Sequence, residues 1–463
     1  MADLSPEARA ALCDAAGPDG WSADADTIAP RLTEWRGRML GHSGLLLRPK
    51  GVAAVQAIVR AAVAHRVAIV PQGGRTGLVG GALPVPGRAS VLLSTERLAR
   101  IRAVDADGLT LVAEAGVVLD AVHAAAAAAG LRFPLSLAAR GSATVGGLVS
   151  TNAGGVQVLR HGTMRARVLG LEAVLPDGTL LDQLGPLAKD NTGLDIKQLL
   201  IGAEGTLGIV TAAALALAPV PPERIVAWAG VDSPAAALML LAALRGAVGE
   251  QIESFELLPG DAAAMVARHV PGHRDPLPGV PRAVLIEVAG TGIAPGLEAA
   301  LAAHAPDSVV ATSEAQAAAL WAIREALPEA EKREGAAVKH DISLPVAAVP
   351  AFVARVGAEV EASFAGARVF AFGHLGDGNL HYNVFAPPGG GSAWVEAHGP
   401  AVTRLVHDRV VAMHGSISAE HGIGAFKADE LARLGDPGKL AAARAIKRAL
   451  DPLDIMNPGK LAL

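Results

Sequence analysis

The sequence predicts an α+β protein of more than one domain, on three observations. Short apolar runs punctuated by glycine-rich turns fill residues 67–217. Consecutive prolines in Pro219-Val-Pro-Pro222 stop either regular structure. Beyond them, strand-like runs alternate with alanine-rich helical stretches. The 463 residues, 51% of them hydrophobic, are enough for about three domain-sized units with large cores.

Taken in order, Ser5 caps a first helix with Pro6 in its opening turn, so the N-terminus reads as a helix start and no signal peptide is expected. Arg48-Pro-Lys-Gly51 is a turn, followed by a helix over 52–65 and a strand over 67–70. Further strands are expected at 91–93, 110–113, 169–175 and 209–217. The alanine run 124–129 belongs to a helix, since alanine is the best helix former. After residue 222, strands at 225–231, 283–288 and 369–372 form an antiparallel sheet covered by helices. Gly389-Gly-Gly-Ser392 is a flexible loop, 402–414 a helix, and Asn457-Pro-Gly-Lys460 a turn. The expected divisions are an N-terminal helical segment 1–40, a domain 41–220, a second domain 221–400 and a helical part 401–463. No internal repeat is visible.

Lys and Arg total 40 against 45 Asp and Glu, with no basic run interleaved with aromatics, so nucleic acid is not an expected partner. Apolar stretches such as 235–244 fall short of the roughly 18 residues a bilayer span needs, and no transmembrane segment is expected. The single cysteine, Cys13, excludes an intrachain disulfide and fits a reducing compartment, with the cytoplasm as the expected location.

Chemistry concentrates in Phe372-Gly-His-Leu-Gly-Asp-Gly-Asn-Leu-His-Tyr-Asn383. Asp377-Gly378 signals a two-residue hairpin turn, which would set Leu375 opposite Leu380 and His374 opposite His381, both histidines on one face with Asn383 beside them. Two imidazoles suit zinc and similar ions. Ser418-Ala-Glu-His-Gly-Ile-Gly424 supplies Glu420 as a third ligand and His421 as a base. A solvated histidine pair is the plain structural alternative. Pro71-Gln-Gly-Gly-Arg-Thr-Gly-Leu-Val-Gly-Gly81 follows an apolar strand, and its glycines free amides to converge on phosphate oxygens. It is neither a GxGxxG nor a Walker loop. Gly141-Ser-Ala-Thr-Val-Gly-Gly-Leu-Val-Ser-Thr-Asn-Ala-Gly-Gly155 and Ile201-Gly-Ala-Glu-Gly-Thr-Leu-Gly-Ile209 repeat the theme of small residues that let backbone approach a large planar ligand.

These motifs, in this order and together with Asn457-Pro458, resemble the FAD-linked D-2-hydroxyacid dehydrogenases, the D-2-hydroxyglutarate and D-lactate dehydrogenase type among vanillyl-alcohol-oxidase-like flavoproteins. The resemblance spans about residues 40–463. It implies an FAD-binding domain of two α+β subdomains, a substrate domain with a ferredoxin-like antiparallel sheet, and a C-terminal helical part returning to the flavin. It further implies that Gly73, Gly74, Thr76 and Gly77 cradle the pyrophosphate, with Arg75 standing where relatives commonly carry a small polar residue. Ser142, Gly146, Thr151, Asn152 and Gly155 would line the flavin, Ile209 would approach the adenine, and Asn457 the isoalloxazine. The first cradle loop holds no histidine, so noncovalent FAD is expected.

The implied reaction is oxidation of a D-2-hydroxy acid to the 2-oxo acid. A divalent metal, zinc before manganese, on His374, His381 and Glu420 would acidify the hydroxyl, and His421 would take its proton. Arg324 and Lys339 match the family's carboxylate-binding positions, and Asn383, on the histidine face, is a third expected substrate contact. Pro328, expected to open a helix over 329–334, stands where 2-hydroxyglutarate enzymes usually place a threonine. D-2-hydroxyglutarate or a close homologue is the expected substrate. D-lactate or glycolate is the alternative, and a non-catalytic electron-transfer subunit or an oxygen-using oxidase are further readings. The acceptor would be an electron-transfer flavoprotein, a quinone or a cytochrome, and a homodimer is allowed.

Overall fold

The computed structural model describes residues 4–34 and 37–463; the first three residues of the expected N-terminal segment, and Trp35 and Arg36, lie outside them. The chain divides into two compact units. One contains the residues up to Gly155, Gly162–Val220 and Glu420–Leu463, and the other Val156–His161 and Pro221–Ala419.

The first unit holds two larger sheets. In one, β1 (Trp21–Ser22), β2 (Leu46–Leu47), β3 (Ala68–Gln72) and β4 (Ser90–Ser94) lie in the order β1-β2-β4-β3, with β2 and β3 parallel to β4. The helix Val52–His65 makes the crossover from β2 to β3, as a parallel pairing requires. Its Val55, Ile58, Val59 and Ala62 recur at helical spacing and are fully buried against Leu45, Leu47, Ile69 and Val91. Burying each branched side chain contributes about 1.5–3 kcal/mol. The first helix, Pro6–Ala16, starts as read, with the Ser5 hydroxyl accepting from the Ala8 amide at 3.1 Å.

The second sheet of this unit is antiparallel. Its strands are β5 (Ile101–Asp105), β6 (Thr110–Glu114), β8 (Val168–Val174), β9 (Leu180–Gln183) and β10 (Ile209–Ala216), in the order β5-β6-β10-β8-β9; β7 (Leu131–Arg132) pairs separately with β11 (Ala218–Pro219). Leu111, Leu171, Ala213 and Leu215 pack against Val122 and Val149 of the helices Leu119–Ala128 and Val145–Thr151. The 420–463 segment completes this unit. Ile69 bridges to Met456, and the ammonium of Lys447 is tied to Asp451, Thr206 O and Met456 O.

In the second unit, β12 (Glu223–Val231), β13 (Ile252–Pro259), β14 (Arg282–Gly290), β15 (Ser308–Val310), β16 (Ala337–Ser343), β17 (Arg368–His374) and β18 (Asn379–Phe385) form one antiparallel sheet ordered β15-β12-β14-β13-β17-β18-β16. The helices Ala262–His269 and Glu314–Glu334 belong with a core that includes Val226, Trp228, Leu285, Phe370 and Phe372. The helices Pro234–Val248, Val349–Ser363 and Gly391–Ala412 also pack on this sheet. The last of these spans residue 400 and stays with the sheet unit.

Pro328 does not open a helix. The helix Glu314–Glu334 is capped by Ser313, whose hydroxyl accepts from Gln316 N, and runs through Pro328 without interruption. An interior proline costs about 3 kcal/mol. The buried face of Ala317, Leu320, Trp321, Ile323, Leu327 and Ala330 offsets it.

Candidate active site

In the first unit, β3 runs straight into the 73–81 loop. This loop, the 137–154 segment, the 204–210 segment, Glu420 and His421 line a cavity of about 350 Å³, within the roughly 300–1,000 Å³ of small-molecule and cofactor sites. Its walls carry Leu137, Leu148, Ile209 and Val210. Among the described residues, the amides of Gly73, Gly74, Arg75, Thr76 and Gly77 donate to no other group of the protein. The buried Oγ1 of Thr144, also on the wall, has no hydrogen-bond partner among the described residues. Backbone packing dictates glycine here, since a Cβ on Gly74 would lie 1.8 Å from Ser142 O, and one on Gly73 would lie 2.3 Å from Thr144 Oγ1. A run of undonated amides beside an apolar slot suits a pyrophosphate carrying a flat, apolar ring system.

Of the residues expected to hold a flavin, Gly73, Gly74, Arg75, Thr76, Gly77, Gly146, Thr151 and Ile209 line this cavity. Arg75 has φ of 57° and its guanidinium donates to Pro30 O at 2.7 Å. Four others do not line it. Ser142 is exposed, with its carbonyl close against Gly74, and Asn152 ends its helix at φ 49° with its Oδ1 accepting from Arg165 N at 2.9 Å. A Cβ on Gly155 would meet Ser136 O at 2.1 Å. Asn457, 1% exposed, donates to Gly81 O at 2.9 Å and Glu204 O at 2.7 Å, joining the tail to two glycine-rich loops. His421 Nε2 stands 3.6 Å from Glu420 Oε1, both half-buried at the cavity wall.

In the sheet unit, the histidine hairpin has a different register from the one read in the sequence. Phe372, not His374, pairs with His381, and the turn is wider than Asp377-Gly378. Gly378 N donates back to His374 O at 3.1 Å, and Asp377 Oδ1 accepts from Asn379 N at 3.1 Å; this local side-chain bond at the turn favours the wider loop. The shift is by two residues, so the face is kept. The rings of His374 and His381 remain neighbours, centroids 5.7 Å apart, as a diagonal pair.

Lys339 and Asp341 of β16 lie opposite Asn383 and His381 of β18 and so share that face. On the neighbouring β13, directly opposite His374, Glu256 is fully buried and accepts from Arg324 Nε at 2.8 Å and from Nδ1 of His374. Burial works to raise its carboxyl, but the charges of His374 and Arg324 prevail and bring it from 4.5 to about 2. Glu256 is therefore ionised, and Nδ1 of His374 is the donor to it. Arg324, 8% exposed, lies with its guanidinium carbon 4.9 Å from the Phe372 ring centroid. Glu331, 1% exposed, accepts from Lys339 Nζ at 2.8 Å and from Asn383 Nδ2. The three side chains expected to grip a substrate thus each hold an internal carboxylate. The sequence reading missed Glu256 and Glu331. A signal for the first was a carboxylate set inside the apolar run Phe255–Leu258.

A family model described as FAD linked oxidases, C-terminal domain, matches residues 220–461, and one described as FAD binding domain matches residues 44–183. The chain is 38% identical to the mitochondrial D-2-hydroxyglutarate dehydrogenase of Bos taurus, over 95% of this chain and 80% of that one. It is 39% identical to the D-2-hydroxyglutarate dehydrogenase of Xanthomonas citri pv. viticola, over 92% and 91%. Among solved structures, p-cresol methylhydroxylase with substrate bound superposes with a TM-score of 0.76 at 15% identity, over 99% of this chain and 98% of that one, a likeness of fold alone. The chain belongs to the FAD-linked oxidases. Within them it falls with the flavin-dependent 2-hydroxyacid dehydrogenases. No helix among the described residues is long and apolar enough to cross a membrane.

Proposed function

We propose that this protein oxidises D-2-hydroxyglutarate, or a close homologue, to the 2-oxo acid, with His421 as the base that takes the hydroxyl proton. The observation that carries this reading is that His421 opens onto the same cavity whose glycine loops present the undonated amides of residues 73–77. FAD bound there noncovalently would supply the hydride acceptor. The amides of Gly73, Gly74, Thr76 and Gly77 would hold its pyrophosphate, and Gly146, Thr151 and Ile209 would border its rings.

For the sheet unit we propose zinc on His374 and His381, with Glu256 orienting His374 through Nδ1 as a carboxylate orients a ligating imidazole. Glu420, the third ligand assigned from the sequence, belongs to the cavity unit, where it stands beside His421. A bound divalent ion would lower the acidity barrier of the substrate hydroxyl. Lys339 and Asn383 are the proposed carboxylate contacts. Arg324 acts through Glu256. The cytoplasm is the proposed location, on the cysteine usage alone, with an electron-transfer flavoprotein, quinone or cytochrome as acceptor.

The test is anaerobic bleaching of the flavin absorbance on titration with D-2-hydroxyglutarate and with D-lactate, each with and without chelator, in the wild type and in His421→Ala. Chelator-sensitive bleaching by the diacid, abolished in the variant with FAD retained, is the expected result. Bleaching by lactate alone would move the substrate to a monoacid, and a normal rate in the variant would remove His421 as the base.

A further inference from the structure

Two carboxylates line the cavity, Glu420 and Glu204, and the reading above gives Glu204 no task. Its place in the fold is over-determined. The backbone stands at φ 50°, a left-handed conformation that costs a non-glycine residue about 1–3 kcal/mol. Its amide donates to Ser150 O at 2.7 Å, and its carbonyl accepts from Asn457 Nδ2 at 2.7 Å. With the main chain fixed from two sides, the side chain, in a residue 8% exposed, reaches a third segment: Oε1 accepts from Ile423 N at 2.8 Å and Oε2 from Gly424 N at 2.7 Å. Burial raises the carboxyl above its ordinary value, and the two amides oppose that.

The segment that receives this grip is the one that carries His421. Gly422, at φ 82°, has no room for a side chain, because a Cβ there would lie 2.7 Å from Glu204 Oε1. Gly424, at φ 53°, packs on Val79 O, where a Cβ would come to 2.1 Å; Ala425 N and Phe426 N donate to the same carbonyl. Residues 422–426 are therefore seated between a carboxylate on one side and Val79 on the other. His421 is the next residue out, at the cavity wall.

We propose that Glu204 is a positioning residue: its carboxylate clamps the Ile423 and Gly424 amides and thereby sets where the His421 imidazole stands against the reacting carbon. This rests on the reading of His421 as the base. Each oxygen serves one amide, so the clamp needs both. Glutamine at this position would turn an NH2 toward one of the two N–H groups and break one half of it. Displacing a reacting group by about 1 Å costs about 100-fold in rate, and that is the loss expected when the clamp opens.

The experiment compares the FAD-loaded wild type, Glu204→Gln, Gly422→Ala and the double variant, with His421→Ala run in parallel. Three quantities are read: the anaerobic flavin-reduction rate at saturating substrate, the substrate affinity, and hydrogen exchange of the peptide amides over 420–426. Both single variants should reduce flavin about 100-fold more slowly, with FAD content and substrate affinity unchanged and faster exchange at residues 423 and 424. The double variant should be no slower than the slower single one, because both break the same clamp.

The proposal is overturned if exchange rises while the reduction rate holds, if the two losses multiply in the double variant, or if Glu204→Gln loses FAD, which would make its side chain a cofactor contact and not a clamp on residues 423 and 424. A normal rate in His421→Ala sinks the base assignment instead, and the exchange data then report on the clamp alone.

Discussion

Replacing Glu256 with glutamine should destabilise the sheet unit by about 3 kcal/mol near neutral pH, and two routes give that magnitude. The carboxylate is fully buried and holds Arg324 at 2.8 Å, itself only 8% exposed, so removing the charge leaves a buried guanidinium unpaired. Breaking a buried pair from one side costs about 3–5 kcal/mol. Independently, a carboxyl brought from 4.5 to about 2 is worth about 3 kcal/mol to the folded state. The sign follows from the direction. The folded value lies below the unfolded one, so the contribution is complete above 4.5 and is lost as pH falls toward 2. Urea unfolding followed by the fluorescence of Trp228 and Trp321, both in the sheet unit's core, should show the wild type's advantage over Glu256→Gln near neutrality and its shrinkage by about pH 3. The probe must be local, because a protein of two units need not unfold in one step. A deficit below about 1 kcal/mol, the range of an exposed pair, or a gap that ignores pH, would refute the reasoning.

Other expectations are as direct. Gly74→Ala places a Cβ 1.8 Å from Ser142 O and should abolish FAD retention, read as flavin absorbance per protein after desalting; stoichiometric flavin would remove that loop as the cradle. Lys460 is 1% exposed, and burial pushes its ammonium from 10.5 down to about 8 against the opposing charge of Glu204, so its folded value lies below the unfolded one. The wild type should therefore gain stability over Lys460→Met by up to about 3 kcal/mol between about pH 8 and 10.5, and a flat difference curve would contradict it. Lys339→Met leaves the buried Glu331 without its cation. It should raise KM for a diacid more than for D-lactate, and equal rises would end the carboxylate-contact role.

Much of this fold can be read in the chain, because its signals are local. The helix Val52–His65 begins and ends where its apolar spacing and the preceding glycine place it, and Ser5 caps the first helix. The glycine loops are legible for the same reason, since few sequences need so many small residues at strand ends. The hairpin register is not. Asp377-Gly378 is a fair two-residue signal, but the bond from Asp377 to the Asn379 amide belongs to a wider turn that dipeptide statistics do not separate from it. Pro328 misleads in the opposite way, because tertiary burial on both sides of it overrides a strong local preference. Buried partners stay hidden altogether: Glu256 is 118 positions from His374, and nothing local marks the pairing. Glu204 lies inside a motif that is easy to see, yet its contact is 219 positions away at Ile423.

The discontinuity of the cavity unit bears on how the molecule comes into being. Its walls are drawn from residues before 211 and from Glu420 and His421, and Met456, which bridges to Ile69, the side-chain amide of Asn457 and the segment gripped by Glu204 also lie after residue 419. A nascent chain emerging from the ribosome has made the whole sheet unit before it can finish the cavity. Flavin capture is thereby tied to the end of translation, and a polypeptide released early, lacking residues 420–463, would carry the glycine loops without the part that closes them.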